Sequence, residues 1–244
     1  MGRKTRIAAT VGRWLFILCL PVLLLTATIA VLSSSMWLYR YGFQEYGVRE
    51  ALAAHGLEIS EAELEGVYAG LIGYYHSGEE LVDIRVVSGG ETVAIFTPEE
   101  VNHFKDVKGL IWLDYWVLLG TLLCALAYAG CSLFWWREGR RLGSALLGGG
   151  IFTVVLLAAL VLLDTLFGFG EIFYRFHLLF FTNPDWHAEG HMLRLFPEPF
   201  FVYAAALGAG IIVGLAVISG AAGWLIRRRH RHQSHPRNHP RSAL

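Results

Sequence analysis

Tyr115–Trp136 reads YWVLLGTLLCALAYAGCSLFWW, 22 residues without a charge, and the chain then turns abruptly basic at Arg137, Arg140 and Arg141. A bilayer core is crossed by roughly 20 apolar residues at about 1.5 Å rise each, so this stretch is long enough. Leu142–Leu163 follows at once and is equally free of charge. Two apolar runs joined by a short basic turn read as a transmembrane hairpin. Outward from it, Trp14–Tyr39 and Pro199–Ile226 are the remaining uncharged runs of that length. Four buried helices of a soluble core would need covering layers that 244 residues do not supply. Composition agrees: 55% of the chain is hydrophobic, 14% aromatic and only 16% charged, against about a quarter charged in soluble domains. A disordered chain and an ordinary cytosolic enzyme are both excluded.

The formal net charge is zero, from 20 basic and 20 acidic residues, but the two signs are segregated. The N-terminus, the 137–141 turn and the tail from Arg227 hold thirteen Lys/Arg and one acidic residue, Glu138. The other two connecting segments hold seven basic and 19 acidic residues. Because cytoplasmic loops retain Lys and Arg, both termini are expected inside and the two acidic segments outside. The first span exceeds a signal-peptide core and lacks an A-x-A site, so it reads as an uncleaved anchor.

The expected order begins with a basic N-terminus (1–13), a first transmembrane helix (14–35) and an extracytoplasmic cap (36–111). A second helix (112–136), a cytoplasmic loop (137–142) and a third helix (143–164) follow. An outer interfacial loop (165–198), a fourth helix (199–226) and a basic tail (227–244) complete it. The fold class is thus an α-helical polytopic membrane protein, four transmembrane helices with a small α+β cap.

Within the cap, Tyr41–Ala54 is expected to form a helix. Ser60-Glu61-Ala62-Glu63 has capping-box spacing and starts a second helix towards Tyr75. Residues 83–87 and 92–96 flank Ser88-Gly89-Gly90-Glu91 and read as a β-hairpin. Thr97-Pro98-Glu99-Glu100 opens a helix that runs through His103 and Asp106 towards the second span. In the later loop, seven Phe and Tyr residues between Phe167 and Phe181 place that segment at the headgroup level. Gly210 and Gly214, in the fourth span, have the spacing of a helix-packing face.

No Asp, Glu, Lys, Arg or His lies in the middle of any span, which disfavours a pump or ion-coupled transporter. Cys19, Cys124 and Cys131 all fall within spans, and no G-x-S-x-G elbow occurs. Acyl chemistry here would therefore rest on imidazole acid–base catalysis rather than on an acyl-enzyme. His103 and His177 differ from the other histidines in lying next to the outer membrane surface. His103 and Asp106 are three apart and share a helical face, so the carboxylate either fixes the imidazole tautomer or simply satisfies it. His187 and His191 are at i, i+4, a spacing that can bind zinc on a helix, but Gly190 and Pro184 weaken the helix. A polar rim is the simpler reading there. The four tail histidines, His230, His232, His235 and His239, read as part of a basic tail drawn to anionic lipid.

Two blocks carry a family resemblance. Glu99-Glu100-Val101-Asn102-His103-Phe104-Lys105-Asp106-Val107-Lys108 resembles a Glu, gap, His-Met-x-Asp-Val-Lys pattern ahead of a span, with Phe104 in place of the usual Met. Phe176-His177-Leu178-Leu179-Phe180-Phe181, then Asn183, Trp186 and Leu195–Phe201, resembles the second signature of the same family. That family is the lipoprotein intramolecular transacylases of the bacterial cell membrane. The resemblance implies transfer of the sn-2 acyl chain of a diacylglyceryl-cysteine to the cysteine α-amine, on the outer face. It implies His103, oriented by Asp106, as base, and His177 as oxyanion stabiliser or acid towards the leaving oxygen. Glu100, Lys105, Lys108, Asn183 and Trp186 are expected to position substrate. Diacylglyceryl lipoproteins and membrane lipids are the implied partners, with no nucleic acid, metal or other cofactor. Two readings from other classes stand beside it: a non-catalytic module whose cap binds a lipid or protein, and a metal-dependent hydrolase using His177, His187 and His191.

Overall fold

Four helices in the computed structural model are long and apolar enough to cross a membrane: Thr5–Ser33, Pro98–Trp135, Gly139–Phe167 and Glu198–Arg229. The structure describes residues 2–181, 186 and 190–232. In chain order the elements are α1 (Arg3–Ser33), α2 (Met36–Glu45), α3 (Val48–Ala53), α4 (Glu61–His76), β1 (Arg85–Ser88) and β2 (Glu91–Ala94). Then come α5 (Pro98–Gly130), a π-helical turn (Cys131–Trp135), α6 (Gly139–Phe167), α7 (Phe169–Phe180), α8 (Met192–Leu195) and α9 (Glu198–His232). The chain divides into two compact units, one of residues 1–25, 117–159 and 211–244, the other of residues 26–116 and 160–210.

The first unit packs Phe16, Ile17 and Leu20 of α1 against Tyr128 of α5 and Leu142 and Ala145 of α6. Its tightest contact joins α6 to α9. A Cβ on Gly150 would lie 2.5 Å from the Ala216 carbonyl oxygen, and one on Gly223 2.5 Å from that of Gly143. Backbone meets backbone there, which only hydrogen in place of a side chain allows. The expected packing pair, Gly210 and Gly214, is not the one used: a Cβ at either meets nothing within 4 Å. Small residues at i, i+4 permit close approach but do not say which stripe has a partner. Gly150→Ala is therefore expected to cost roughly 1–3 kcal/mol by overpacking. Thermal unfolding of the purified protein should show a lowered midpoint for Gly150→Ala and none for Gly210→Ala.

The second unit is built around α4, which buries Leu64, Val67, Tyr68, Leu71, Tyr74 and Tyr75. Its expected capping box forms: the Ser60 and Glu63 N–H groups each donate to the other residue's side chain, at 2.9 and 3.2 Å. Glu63 also accepts the Val87 N–H at 3.0 Å, pinning the start of α4 to the hairpin. The hairpin pairs Arg85 with Ala94 through to Ser88 with Glu91. Its turn residues, Gly89 and Gly90, have φ of 61° and 85°, as a two-residue primed turn requires.

The single helix expected over 41–54 is two helices. Gly47 takes a left-handed φ of 60° between α2 and α3 and breaks the hydrogen-bond ladder. Further along, the Thr97 N–H donates to Glu100 Oε2 at 2.9 Å, and the Glu100 N–H to Thr97 Oγ1 at 3.3 Å, a second capping box. It starts a 38-residue helical run to Trp135. At 1.5 Å per residue that is about 57 Å, nearly twice a bilayer core. All the charges of α5 precede Tyr115, so its first half extends beyond the apolar spanning part.

Candidate active site

α5 and α7 bring two histidines together in the second unit. His103 lies in the second turn of α5, set by the Thr97 cap. His177 lies in α7, which begins after Gly168 turns the chain with φ 80°. Both side chains are buried, at 6% and 7% exposure. Their ring centroids are 6.1 Å apart with planes 22° from parallel. Phe181 packs on both, at 4.9 Å from His103 and 5.2 Å from His177. Phe173 (4.3 Å) and Trp186 (4.7 Å) complete the surround of His177. Meanwhile α7 exposes Leu178, Leu179 and Phe180. A buried imidazole pair thus sits beside an exposed apolar surface.

The nitrogens are not equivalent. His177 Nδ1 lies 2.7 Å from the Phe173 carbonyl oxygen. A carbonyl only accepts, so Nδ1 carries the proton and Nε2 of the neutral ring is the acceptor nitrogen. His103 Nδ1 is buried without a hydrogen-bond partner among the described residues. Asp106 acts on His103 through its charge. Burial, and then the neighbouring His177, push the His103 imidazole down to about 4, while Asp106 pulls it upward. Two imidazoles this close share one positive charge at most with comfort.

Glu100 is fully buried. One carboxylate oxygen takes the Thr97 N–H and the other takes the Met192 N–H at 2.5 Å, joining the start of α5 to the chain before α8. Burial raises its pKa, and the two backbone donors and Arg194 counteract this. A Cβ at Gly190 would fall on that carboxylate. Arg194 in turn donates to the Gly190 carbonyl. The two lysines reach the segment that follows α4. Lys105 pairs with Glu80 at 2.5 Å. Lys108 donates to the Glu79 carbonyl at 2.6 Å and sits 4.2 Å over the Tyr74 ring. Both clamp the chain after α4.

Trp186 packs on His177 with its ring tilted by 34°, whereas Asn183, His187 and Glu189 lie outside the described residues. Among the described residues no group of three His, Cys, Asp or Glu side chains is arranged to hold a metal. Sequence reasoning missed the Phe173 carbonyl, which every residue possesses and no motif marks. It also missed Gly190, whose close approach to Glu100 has no local signature.

Residues 14–201 match the family model described as lipoprotein intramolecular transacylase Lit. The chain belongs to that family. Its members are membrane enzymes, and the four-helix architecture here is theirs. The structure of the membrane-integral lipoprotein intramolecular transacylase Lit from Bacillus cereus is similar, with a TM-score of 0.77 and 19% identity over 92% of this chain and 98% of that one. A variant of that protein with one histidine changed to arginine gives 0.76 and 18% identity over 96% and 100%. One with histidine changed to alanine gives 0.75 and 18% over 93% and 97%. No curated protein matches the sequence. The family match spans both signature blocks.

Proposed function

We propose that this transacylase moves the sn-2 acyl chain of a diacylglyceryl-cysteine lipoprotein to the cysteine α-amine, using His103 and His177 as its acid–base pair. The amine nitrogen attacks the ester carbonyl, a C–N bond forms, and the bond from carbonyl carbon to glycerol oxygen breaks. One proton leaves nitrogen and one reaches the glycerol oxygen, so no water is consumed. His177 Nε2 accepts that proton and returns it, while the Phe173 carbonyl stabilises the imidazolium through Nδ1–H. Neutral His103 donates its ring N–H to the oxyanion. This reverses the order of roles that the resemblance implied. The observation that supports it is the tautomer: a carbonyl on Nδ1 makes His177 the proton acceptor. Holding amine and ester in one molecule supplies much of the rate through effective concentration. Trp186 and Glu100 position the pair, and Asn183 is proposed beside the substrate.

The charge segregation supports a cell-membrane orientation with both termini in the cytoplasm and the histidines on the outer face. There the scissile ester would lie at headgroup depth with its chains along the exposed face of α7. Mass spectrometry of a lipoprotein N-terminus, after expression in cells lacking other N-acylating activity, tests the reading. The lyso N-acyl product is expected; an unchanged diacylglyceryl form overturns it.

A pH profile separates the groups. A free α-amine titrates near 8 and attacks only when neutral, so single-turnover rates should rise with pH towards about 8. His103 is neutral far below that and protonates only as pH falls through about 4. Its N–H donor role thus adds no break between pH 5.5 and 8. The profile of His103→Gln should bend where the wild type does; a wild-type break near 6.5 that this variant abolishes would count against the assignment.

A further inference from the structure

The basic end of the first unit contains a cavity of about 560 Å³ lined by Arg13, Arg137, Arg140, Arg141 and Arg227, with Glu138 the one acidic residue among them. Glu138 is already committed to Arg141 in an i, i+3 ion pair. Arg13, Arg137, Arg140 and Arg227 line the same hollow, and the Arg13 guanidinium also lies 5.3 Å from the Trp14 ring centroid. Arg13 Nε is buried without a hydrogen-bond partner among the described residues. Like charges gathered so closely repel, and a shared anion removes the repulsion.

The backbone is shaped around the same point. α6 begins at Gly139 in the cavity wall, which places the positive end of its dipole beside the hollow. Arg137 is the one non-glycine described residue with positive φ, at 52°. That left-handed conformation is one a side chain resists, and such departures gather at functional sites.

Arg137 also lines a second cavity, of about 670 Å³, walled by Gly130, Cys131, Phe134 and Trp135. The π-helical turn produces it: Trp136 N–H bonds back to the Cys131 carbonyl at 2.8 Å, and widening of this kind turns Phe134 and Trp135 outward, 81% and 83% exposed. Aromatic rings so placed belong at the level of lipid headgroups. An anion-binding hollow and an apolar groove meeting at one arginine match an amphiphile with an anionic head.

We propose that this cluster is a binding site for an anionic phospholipid, whose phosphate enters the arginine cavity while its glycerol and chains follow the Phe134–Trp135 groove. The site is separate from His103 and His177 and does not depend on the acyl-transfer reading. Bound lipid would bridge α1, the α5–α6 connection and α9, which supply the arginines.

Native mass spectrometry of the full-length protein in neutral detergent tests this, with phosphatidylglycerol, phosphatidylcholine and inorganic phosphate as probes. Each arginine near a lipid phosphate is worth about fivefold in affinity. Arg140→Gln with Arg227→Gln should thus weaken phosphatidylglycerol binding about 25-fold. The corresponding pair of lysine substitutions should restore most of it. Arg228→Gln should not matter, since Arg228 lies over Trp224, outside the cavity. Should the double glutamine variant fail to fold, Arg140→Gln alone is read for its single fivefold step. Equal binding of the two lipids, or a glutamine variant that binds phosphatidylglycerol as the wild type does, overturns the proposal. Displacement of the lipid by equimolar inorganic phosphate would make it a free-anion site and overturn it equally.

Discussion

His177→Gln should lower the rate of acyl transfer by about 10³–10⁴-fold, whereas His103→Gln should lower it by about 10–10²-fold and His103→Ala by about 10²–10³-fold. The difference follows from what glutamine keeps. An amide carries N–H donors but takes up no proton at working pH. At position 103 it can still donate to the oxyanion, and removing such a donor altogether costs about 10²–10³. At position 177 no amide can carry the proton from nitrogen to oxygen, and general acid–base catalysis is worth about 10²–10⁴. Its loss also leaves the Phe173 carbonyl without the ring N–H that lies 2.7 Å away.

Single-turnover measurement on a purified diacylglyceryl lipoprotein, with the product read by mass spectrometry, gives the ranking. The reverse ranking would hand the proton to His103 and refute the assignment while leaving the pair intact. If both alanine variants keep full activity, neither histidine is catalytic. The double alanine variant should be scarcely worse than His177→Ala, because residues that act as a unit on one tetrahedral intermediate are not additive.

Much of this arrangement was legible where its causes are local. The Ser60–Glu63 and Thr97–Glu100 caps are i, i+3 devices, and both formed as their spacing indicated. The Gly89-Gly90 turn and the four apolar runs are local too. His103 stood out because it sits just ahead of an apolar run. What failed to show depends on partners distant in sequence. Lys105 and Lys108 looked free to meet substrate, yet their partners follow α4, 25 or more residues earlier. Gly210 and Gly214 had the right spacing on a stripe that faces nothing, while Gly143, Gly150 and Gly223 met backbone. The His177 tautomer, likewise, is set by a main-chain carbonyl that no motif marks.

Glu100 is the clearest case of a distant partner, and its contact carries the second large prediction. Its carboxylate reaches 92 residues along the chain to the Met192 N–H, and the absence of a side chain at Gly190 makes room for it. Leu195 and Phe196, just beyond, pack in the same core as Phe104, the neighbour of His103. Trp186, four residues before Gly190, lies against His177. The contact thus ties the helix that carries His103 to the segment beginning at Gly190. Glu100→Ala leaves two buried N–H groups unsatisfied, at roughly 1–3 kcal/mol each, and should lower both the melting midpoint and the yield. Gly190→Ala is the sharper test, because it keeps every hydrogen-bonding group and only pushes the carboxylate off Met192. A displacement of about 1 Å near a reacting pair can cost about 10²-fold, so kcat should fall by about that factor with KM nearly unchanged. Unaltered kcat in Gly190→Ala, with a lowered melting midpoint, would restrict Glu100 to holding the fold. A raised KM at constant kcat would instead place it in substrate binding, as the family resemblance first implied.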